Sequence, residues 1–197
     1  MNLAPEDYDF GNIENYSFAM EVTCSNDEAR KMFILAYGHM LNYNHEEAIA
    51  CFSKCAELDP DCAMAWWGIA YCVSSNYNWT PGLGSGYDPI QMAISLKEGC
   101  SEMEQDLIDA LAERHSEEAR DAADPSVLNM GNSAELNIAF AEAMAPLYEK
   151  YSGNLDVTAI YVEALMNLKA WQLWDKDTKT GEITPADENT LLLVKIL

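Results

Sequence analysis

Basic residues are scarce in this chain, which holds 11 lysines and arginines against 33 aspartates and glutamates among 197 residues. The resulting net charge of −22 repels phosphate backbones, so we expect no nucleic-acid partner. The same repulsion disfavours anionic membrane surfaces. No apolar run approaches the roughly 20 residues that span a bilayer. The composition therefore predicts an acidic globular protein with neither a nucleic-acid nor a membrane partner.

Short catalytic motifs are also missing. The chain has no Gly-x-Ser-x-Gly elbow, and the glycine-rich run 82–86 lacks the Lys-Ser/Thr pair of a phosphate-binding loop. Carboxylates are so abundant that a pair of them carries no information. These absences favour a binding protein over an enzyme, and we predict neither catalytic residues nor a cofactor.

The six cysteines form no Cys-x-x-Cys pair. A disulfide framework needs a secretory context, and the acidic stretch from Met1 to Phe10 lacks the basic and apolar regions of a signal peptide. Cys51 and Cys55 stand one helical turn apart, as small packing residues would. We therefore expect a cytoplasmic protein whose thiols are reduced and buried.

A repeat of about 34 residues organises the chain from Ala29 to Asn78. A shift by this period places Tyr37 on Tyr71 and Asn42-Tyr43-Asn44 on Asn76-Tyr77-Asn78. Apolar matches alone could arise by chance, but a repeated polar tripeptide at the same offset is much less expected from chance. The period predicts helical hairpins that bury a shared core by stacking.

Helix start and stop signals punctuate the sequence. Ser25 or Asn26 can cap a first helix that runs to about Asn42, and Asn44 with Glu47 forms a capping-box pattern for the second helix. Asp59-Pro60 ends that helix. Further helices are predicted after a loop at 79–87, with starts or spans at 88–91, 101–104, 132–135, 157–174 and 184–197. Pro146 is expected to bend or end its helix.

The stretch from Glu46 to Pro60 resembles the second helix and closing turn of a tetratricopeptide repeat, with Ala48, Phe52 and Cys55 before Leu-Asp-Pro. The stretch 63–71 is similar to the first helix of the next repeat. The resemblance implies an all-α fold of antiparallel helix hairpins stacked as an α-solenoid, with divergent C-terminal helix pairs. Phe52 and Trp66 are expected in the core between stacked helices.

The resulting domain prediction is an extended arm over residues 1–25 and a tetratricopeptide-like domain over 26–197. Its clear repeats cover 29–78 and its divergent helices cover 88–197. The apolar end of the sequence suggests association through the last helix, or a longer repeat array of which this chain is the front part.

In this family the first helices of successive repeats line a concave groove that binds extended peptides. The resemblance implies a protein or peptide partner, and the acidic surface favours one that carries basic residues. The predicted groove residues are aromatic or methionine: Phe33, Tyr37, Met40, Trp67 and Tyr71. The alternative is that the arm or the 82–86 loop fills the groove.

A rival function is the front half of a larger, metal-dependent enzyme that uses the Asn-Tyr-Asn loops and His45. His39 and His45 stand where a tetratricopeptide repeat carries aromatics, at neighbouring helix ends, and could converge on zinc or iron with a carboxylate. They lack His-x-x-x-His spacing, and hydrogen-bonded, partly buried histidines are far commoner than ligands. We therefore predict no metal at this pair.

Overall fold

The computed structural model describes residues 20–78, 85–115, 117 and 130–196, and these ranges are mostly helical. A 3-10 turn, Lys97–Gly99, joins the fourth and fifth helices. Two short antiparallel strands, β1 (Trp174–Lys176) and β2 (Ile183–Pro185), form a hairpin before the last helix. The helices within the described ranges are α1 (Asp27–Leu41), α2 (His45–Leu58), α3 (Ala63–Val73), α4 (Tyr87–Leu96), α5 (Glu102–Ala112), α6 (Met130–Lys150), α7 (Leu155–Asn167) and α8 (Glu188–Ile196).

Each helix packs against the next one in the chain, from α1 through α8. Helices α1 and α3 also contact each other, as do α3 and α5. This pattern is compatible with a helical repeat, because stacked hairpins bring neighbouring and alternate helices together. One continuous core of buried apolar side chains runs from Met20 to Leu193.

The helix caps show which local sequence signals correctly predicted a capping hydrogen bond. Asn26 caps α1 as predicted, and its side-chain oxygen accepts from the Ala29 amide at 2.7 Å. Ser101 and Glu104 form the predicted capping box of α5. Glu104 also accepts hydrogen bonds from the amide and hydroxyl of Thr23, which ties the segment before α1 to α5. Asn44 precedes α2 but makes no side-chain capping bond, so the capping box predicted there is wrong.

Several element boundaries differ from the sequence prediction. Helix α6 begins at Met130, before the predicted start at 132–135, and α8 begins at Glu188 because residues 183–185 form β2. Helix α4 begins two residues earlier than predicted, with Gly86 as its N-cap. Helix α6 continues through Pro146 instead of ending there. Helix α7 ends at Asn167, whereas the sequence predicted a helix to Trp174. Trp171 adopts a φ of 63°, a left-handed conformation that a helix cannot contain, and Trp174 begins β1.

The two side chains predicted to lie between stacked helices have different environments. Phe52 is fully buried, and its ring meets that of Phe33 edge-on at a centroid distance of 5.4 Å. Trp66 packs against the core but is only half-buried, so the prediction of a fully buried core residue fails there. Its neighbour Trp67 is fully buried instead, because α3 packs against α2, α4 and α5 together and turns only a narrow face outward.

Gly68 allows α3 to approach α2 closely. A Cβ atom at this position would lie 2.4 Å from Cζ of Phe52. We expect Gly68→Ala to lower the free energy of unfolding by about 1–3 kcal/mol, because the added methyl group overpacks the core. Chemical denaturation measures the change.

Gly99→Ala provides the control, because a Cβ there meets nothing within 4 Å. It should change stability by less than about 0.5 kcal/mol. Equal unfolding midpoints for Gly68→Ala and the unaltered protein would contradict the close contact between α2 and α3.

Candidate functional site

The five side chains predicted to line a groove are all buried, with no more than 2% of any of them exposed. They are Phe33, Tyr37, Met40, Trp67 and Tyr71. In this structure they form a covered row of mostly aromatic side chains in the core rather than an open groove. Their burial gives no support to the predicted role in partner binding.

Helices α5, α6 and α7 provide contacts that cover this row. The Trp67 Nε1–H donates to the Leu107 carbonyl of α5 at 3.1 Å. The Tyr37 hydroxyl donates to Asp156 of α7 at 2.9 Å. The Tyr71 ring meets Phe140 of α6 edge-on at 6.3 Å. The two covers considered from sequence, the arm and the 82–86 loop, lie largely outside the described residues.

A cluster of polar side chains lies beside the covered row, and we call it the polar centre: His45, Tyr71, Asn76, Glu163 and Asn167. The Tyr71 hydroxyl donates to Glu163 Oε2 at 2.7 Å. His45 Nδ1 lies 3.0 Å from the Cys72 carbonyl oxygen and 3.2 Å from Asn76 Nδ2. Burial, followed by the charge of Glu163, raises the pKa of Tyr71 well above its ordinary value, which keeps the phenol a donor.

Four buried side-chain atoms of the polar centre have no hydrogen-bond partner among the described residues. They are His45 Nε2, Glu163 Oε1, and both the Nδ2 and Oδ1 atoms of Asn167. Glu163 and Asn167 are one helical turn apart on α7, so they share a face. An unpaired buried polar group costs about 1–3 kcal/mol, and native structures usually explain one by a bound water, ion or functional role.

The protonation of His45 determines what the polar centre offers to a ligand. Burial lowers the pKa of His45, although the Glu163 charge opposes the shift, so the ring is neutral at physiological pH. When Nδ1 carries the proton and donates to the Cys72 carbonyl, Nε2 is left as an acceptor. Glu163 Oε1 and Asn167 Oδ1 are further buried acceptors without a partner among the described residues.

Arg114 fixes the position of the loop that carries Asn76. This buried guanidinium donates to the Ser75 carbonyl at 2.5 Å and to Asn137 of α6 at 2.7 Å. It also lies over the Phe140 ring at 5.4 Å. The loop after α3 is thereby held against α6, next to the covered aromatic row.

The two Asn-Tyr-Asn loops reach different parts of the fold. Tyr43 stacks on His45 with ring centroids 5.9 Å apart. Tyr77 stacks on Trp171, beyond the end of α7, at 5.3 Å. The repeat identified both loops and His45, whereas Glu163, Asn167 and Trp171 carried no motif. His39 is half-buried near the end of α1, and within the described residues no hydrogen bond or metal-binding group joins it to His45.

A second feature is an exposed apolar area around the hairpin, which we call the hairpin surface: Trp171, Trp174, Ile183, Leu191 and Val194. Trp171 is 71% exposed and Ile183 is 63% exposed. These five residues account for five of the eight exposed large apolar side chains among the described residues. No described helix has the length and apolar character to cross a bilayer.

Comparison with known proteins gives no match: no family model, curated protein or solved structure is significantly similar to the chain. The likeness to tetratricopeptide repeats therefore rests on the repeated residues and on the packing of consecutive helices.

Proposed function

We propose that the chain is a cytoplasmic, tetratricopeptide-like α-solenoid that serves as a protein-binding module and uses the hairpin surface to hold its partner. The repeated Asn-Tyr-Asn loops and the packing of neighbouring and alternate helices support the architecture. The six free thiols support a reducing compartment.

The observation that carries the proposal is the concentration of exposed apolar side chains between residues 171 and 194. Contiguous exposed apolar patches commonly mark interaction sites, whereas single exposed residues need no explanation. Tryptophan is enriched among the residues that dominate binding energy, and this surface offers two tryptophans. Stacking on Tyr77 orders the Trp171 ring before a partner arrives, which lowers the entropy cost of binding.

The charge of the chain constrains the partner. The segment 169–196 is nearly balanced, with five acidic residues and four lysines, so the apolar contacts at the hairpin surface meet no strong local field. The net charge of −22 belongs mainly to the rest of the chain and attracts a basic partner at longer range. We therefore propose a protein segment with apolar or aromatic residues for the contact and Lys or Arg around them. Its association rate should fall as salt is added.

Trp171→Ala combined with Trp174→Ala tests the hairpin surface. We expect the double variant to weaken partner binding by about 1–3 kcal/mol for each ring, because large aromatic contacts are lost. Partners are identified by affinity capture and mass spectrometry, and binding is then measured by titration of the purified partner segment. The midpoint of thermal unfolding should change little, because both rings are largely exposed.

Leu155→Ala serves as the matched control, because Leu155 is 81% exposed at the start of α7 and lies outside the hairpin surface. It should bind the partner as the unaltered chain does. Undiminished binding by the double tryptophan variant would refute the hairpin surface as the site, even if a partner is found.

A second candidate function is the binding of a small polar ligand at the polar centre, which is favoured by its four unpartnered buried atoms. This is the place that the rival interpretation, the front half of a larger, metal-dependent enzyme, would use. Unpartnered acceptor atoms on His45, Glu163 and Asn167 suit an amine, a guanidinium or a cation.

Asn167→Leu tests the second candidate. In the free protein we expect it to raise the free energy of unfolding by roughly 1 kcal/mol, because two unpaired polar atoms are replaced by apolar ones of similar size. Thermal unfolding with divalent ions and simple amines should show a ligand that stabilises the unaltered protein but not the variant. A destabilised variant, with no ligand found, would instead indicate that Asn167 is satisfied within the fold.

A further inference from the structure

Three thiols converge at the corner between α2 and α3, and we call them the thiol cluster: Cys24, Cys55 and Cys62. Their sulfur atoms all lie within 4.8 Å of one another. The Cys55 Sγ lies 3.9 Å from the Cys62 Sγ. The three residues come from separate parts of the chain, namely the segment before α1, the last turn of α2 and the N-cap of α3.

The sulfur separations match those around a tetrahedral metal ion. Zinc–thiolate bonds of about 2.3 Å place two sulfur ligands about 3.8 Å apart. A disulfide would need a sulfur–sulfur distance of about 2.05 Å. The Cys55–Cys62 pair therefore already has the spacing of two ligands on one ion, and Cys24 needs only a small movement to join them.

Asp59 lies at the same corner but outside the cluster. Its carboxylate is buried and accepts a hydrogen bond from the Ser25 amide at 2.5 Å. It does not belong to the group whose ligand atoms all lie within 4.8 Å of one another. Zinc sites with three protein ligands take a water molecule in the fourth position, so three sulfur ligands and one water complete the four-coordinate shell that zinc prefers.

The N-terminus of α3 favours a thiolate at Cys62. This residue is the N-cap of an 11-residue helix, and the Ala65 amide donates to its carbonyl oxygen at 3.1 Å, while its thiol makes no capping bond. A helix N-terminus carries partial positive charge and stabilises thiolates. From the sequence, these cysteines are predicted to be packing residues, because positions 24, 55 and 62 show no metal-binding spacing. The fold alone brings them together.

We propose that the thiol cluster binds one zinc ion. Cys24, Cys55 and Cys62 coordinate as thiolates and a water molecule fills the fourth position, so the three thiol protons pass to solvent and no atom changes oxidation state. The ion joins the segment before α1 to the α2–α3 corner. The site is separate from the hairpin surface, and its failure would leave the proposed binding function unaffected.

The test uses the full chain, reduced and freed of metal by a chelator. Addition of Co²⁺ should produce the intense ultraviolet absorption of cobalt–thiolate bonds, saturating at about one ion per chain, and Zn²⁺ should abolish it. Cys62→Ala should weaken Co²⁺ binding by at least about tenfold. Cys51→Ala is the matched control, because Cys51 is equally buried and stands one turn from Cys55 on α2 but outside the cluster.

Alkylation of the unaltered chain gives a result even if Cys62→Ala fails to fold. Zn²⁺ should slow alkylation of Cys24 by at least about tenfold, with a much smaller effect on Cys100, which is also half-buried. Absence of the cobalt–thiolate absorption would overturn the proposal. So would a loss of this absorption in Cys51→Ala as large as the loss in Cys62→Ala. A Cys55–Cys62 disulfide in protein purified without oxidant would do the same.

Discussion

Trp67→Ala is expected to lower the free energy of unfolding by about 3–5 kcal/mol, the largest effect of any single substitution considered for this chain. The indole is fully buried and lies 5.3 Å from the Tyr71 ring, centroid to centroid. Its removal leaves a cavity between α3 and α5 and removes the indole hydrogen bond to the Leu107 carbonyl. Denaturant unfolding followed by circular dichroism measures the loss.

Trp66→Ala is the matched control, one residue away on the same helix. Because Trp66 is half-buried against the core, its truncation should cost about 1–2 kcal/mol, less than that of Trp67. Equal losses at the two positions would show that the core-facing side of α3 is misassigned. Unchanged stability together with lost partner binding in Trp67→Ala would restore the open groove that the tetratricopeptide resemblance implied.

Acid should destabilise the protein through His115 between about pH 6.5 and pH 3. Burial, followed by the charge of Arg114, lowers the pKa of His115 to about 3, and a hydrogen bond with the Ala70 carbonyl only partly opposes this. An unfolded histidine titrates near 6.5. Below that pH the unfolded chain binds a proton that the folded chain does not. The free energy of unfolding should therefore fall by up to about 1.4 kcal/mol per pH unit, or about 3 kcal/mol by pH 4.

His115→Gln isolates this contribution from the other titrating groups. Burial opposes ionisation of Asp59 and Asp106, yet hydrogen bonds hold the pKa of each carboxyl below its usual value. Protonation of these two carboxyls in acid therefore also lowers the free energy of unfolding. These losses are common to the variant and the unaltered protein, whereas the histidine contribution is absent from the variant. Urea midpoints between pH 4 and 7.5 should fall less steeply for His115→Gln. Parallel curves would mean that His115 accepts a proton in the folded state.

Local signals in the sequence predicted the starts of α1 and α5 well, and the choice of buried face poorly. Asn26 and Ser101 cap their helices through bonds to amides three residues away, so the signal and the structure it produces are close in sequence. The 34-residue period aligns Met32 with Trp66 and also Phe33 with Trp67, and it cannot decide which pair faces the core. That choice depends on the cover from α5, α6 and α7, which is distant in sequence.

The candidate site was predictable only where it overlaps the repeat. The Asn-Tyr-Asn loops and His45 stood out because they recur or adjoin a recurrence. Glu163 meets Tyr71 across 92 positions of the chain, and no motif announces such a partner. The sequence did not predict the hairpin, because apolar residues from 157 to 174 continue at helical spacing. Gly181, which has a φ of 77°, was correctly predicted to lie outside a helix.

Hydroxyl-radical footprinting of the folded full chain tests most directly the claim that the aromatic row is covered while the hairpin surface is open. Mass spectrometry resolves each tryptophan and tyrosine in one experiment. We expect Trp171 and Trp174 to be oxidised at least about tenfold faster than Trp67, since a buried ring reacts only when the structure opens. Tyr37 and Tyr71 should be protected together with Trp67. Oxidation of Trp67 at the rate of Trp171 in folded protein would contradict the account.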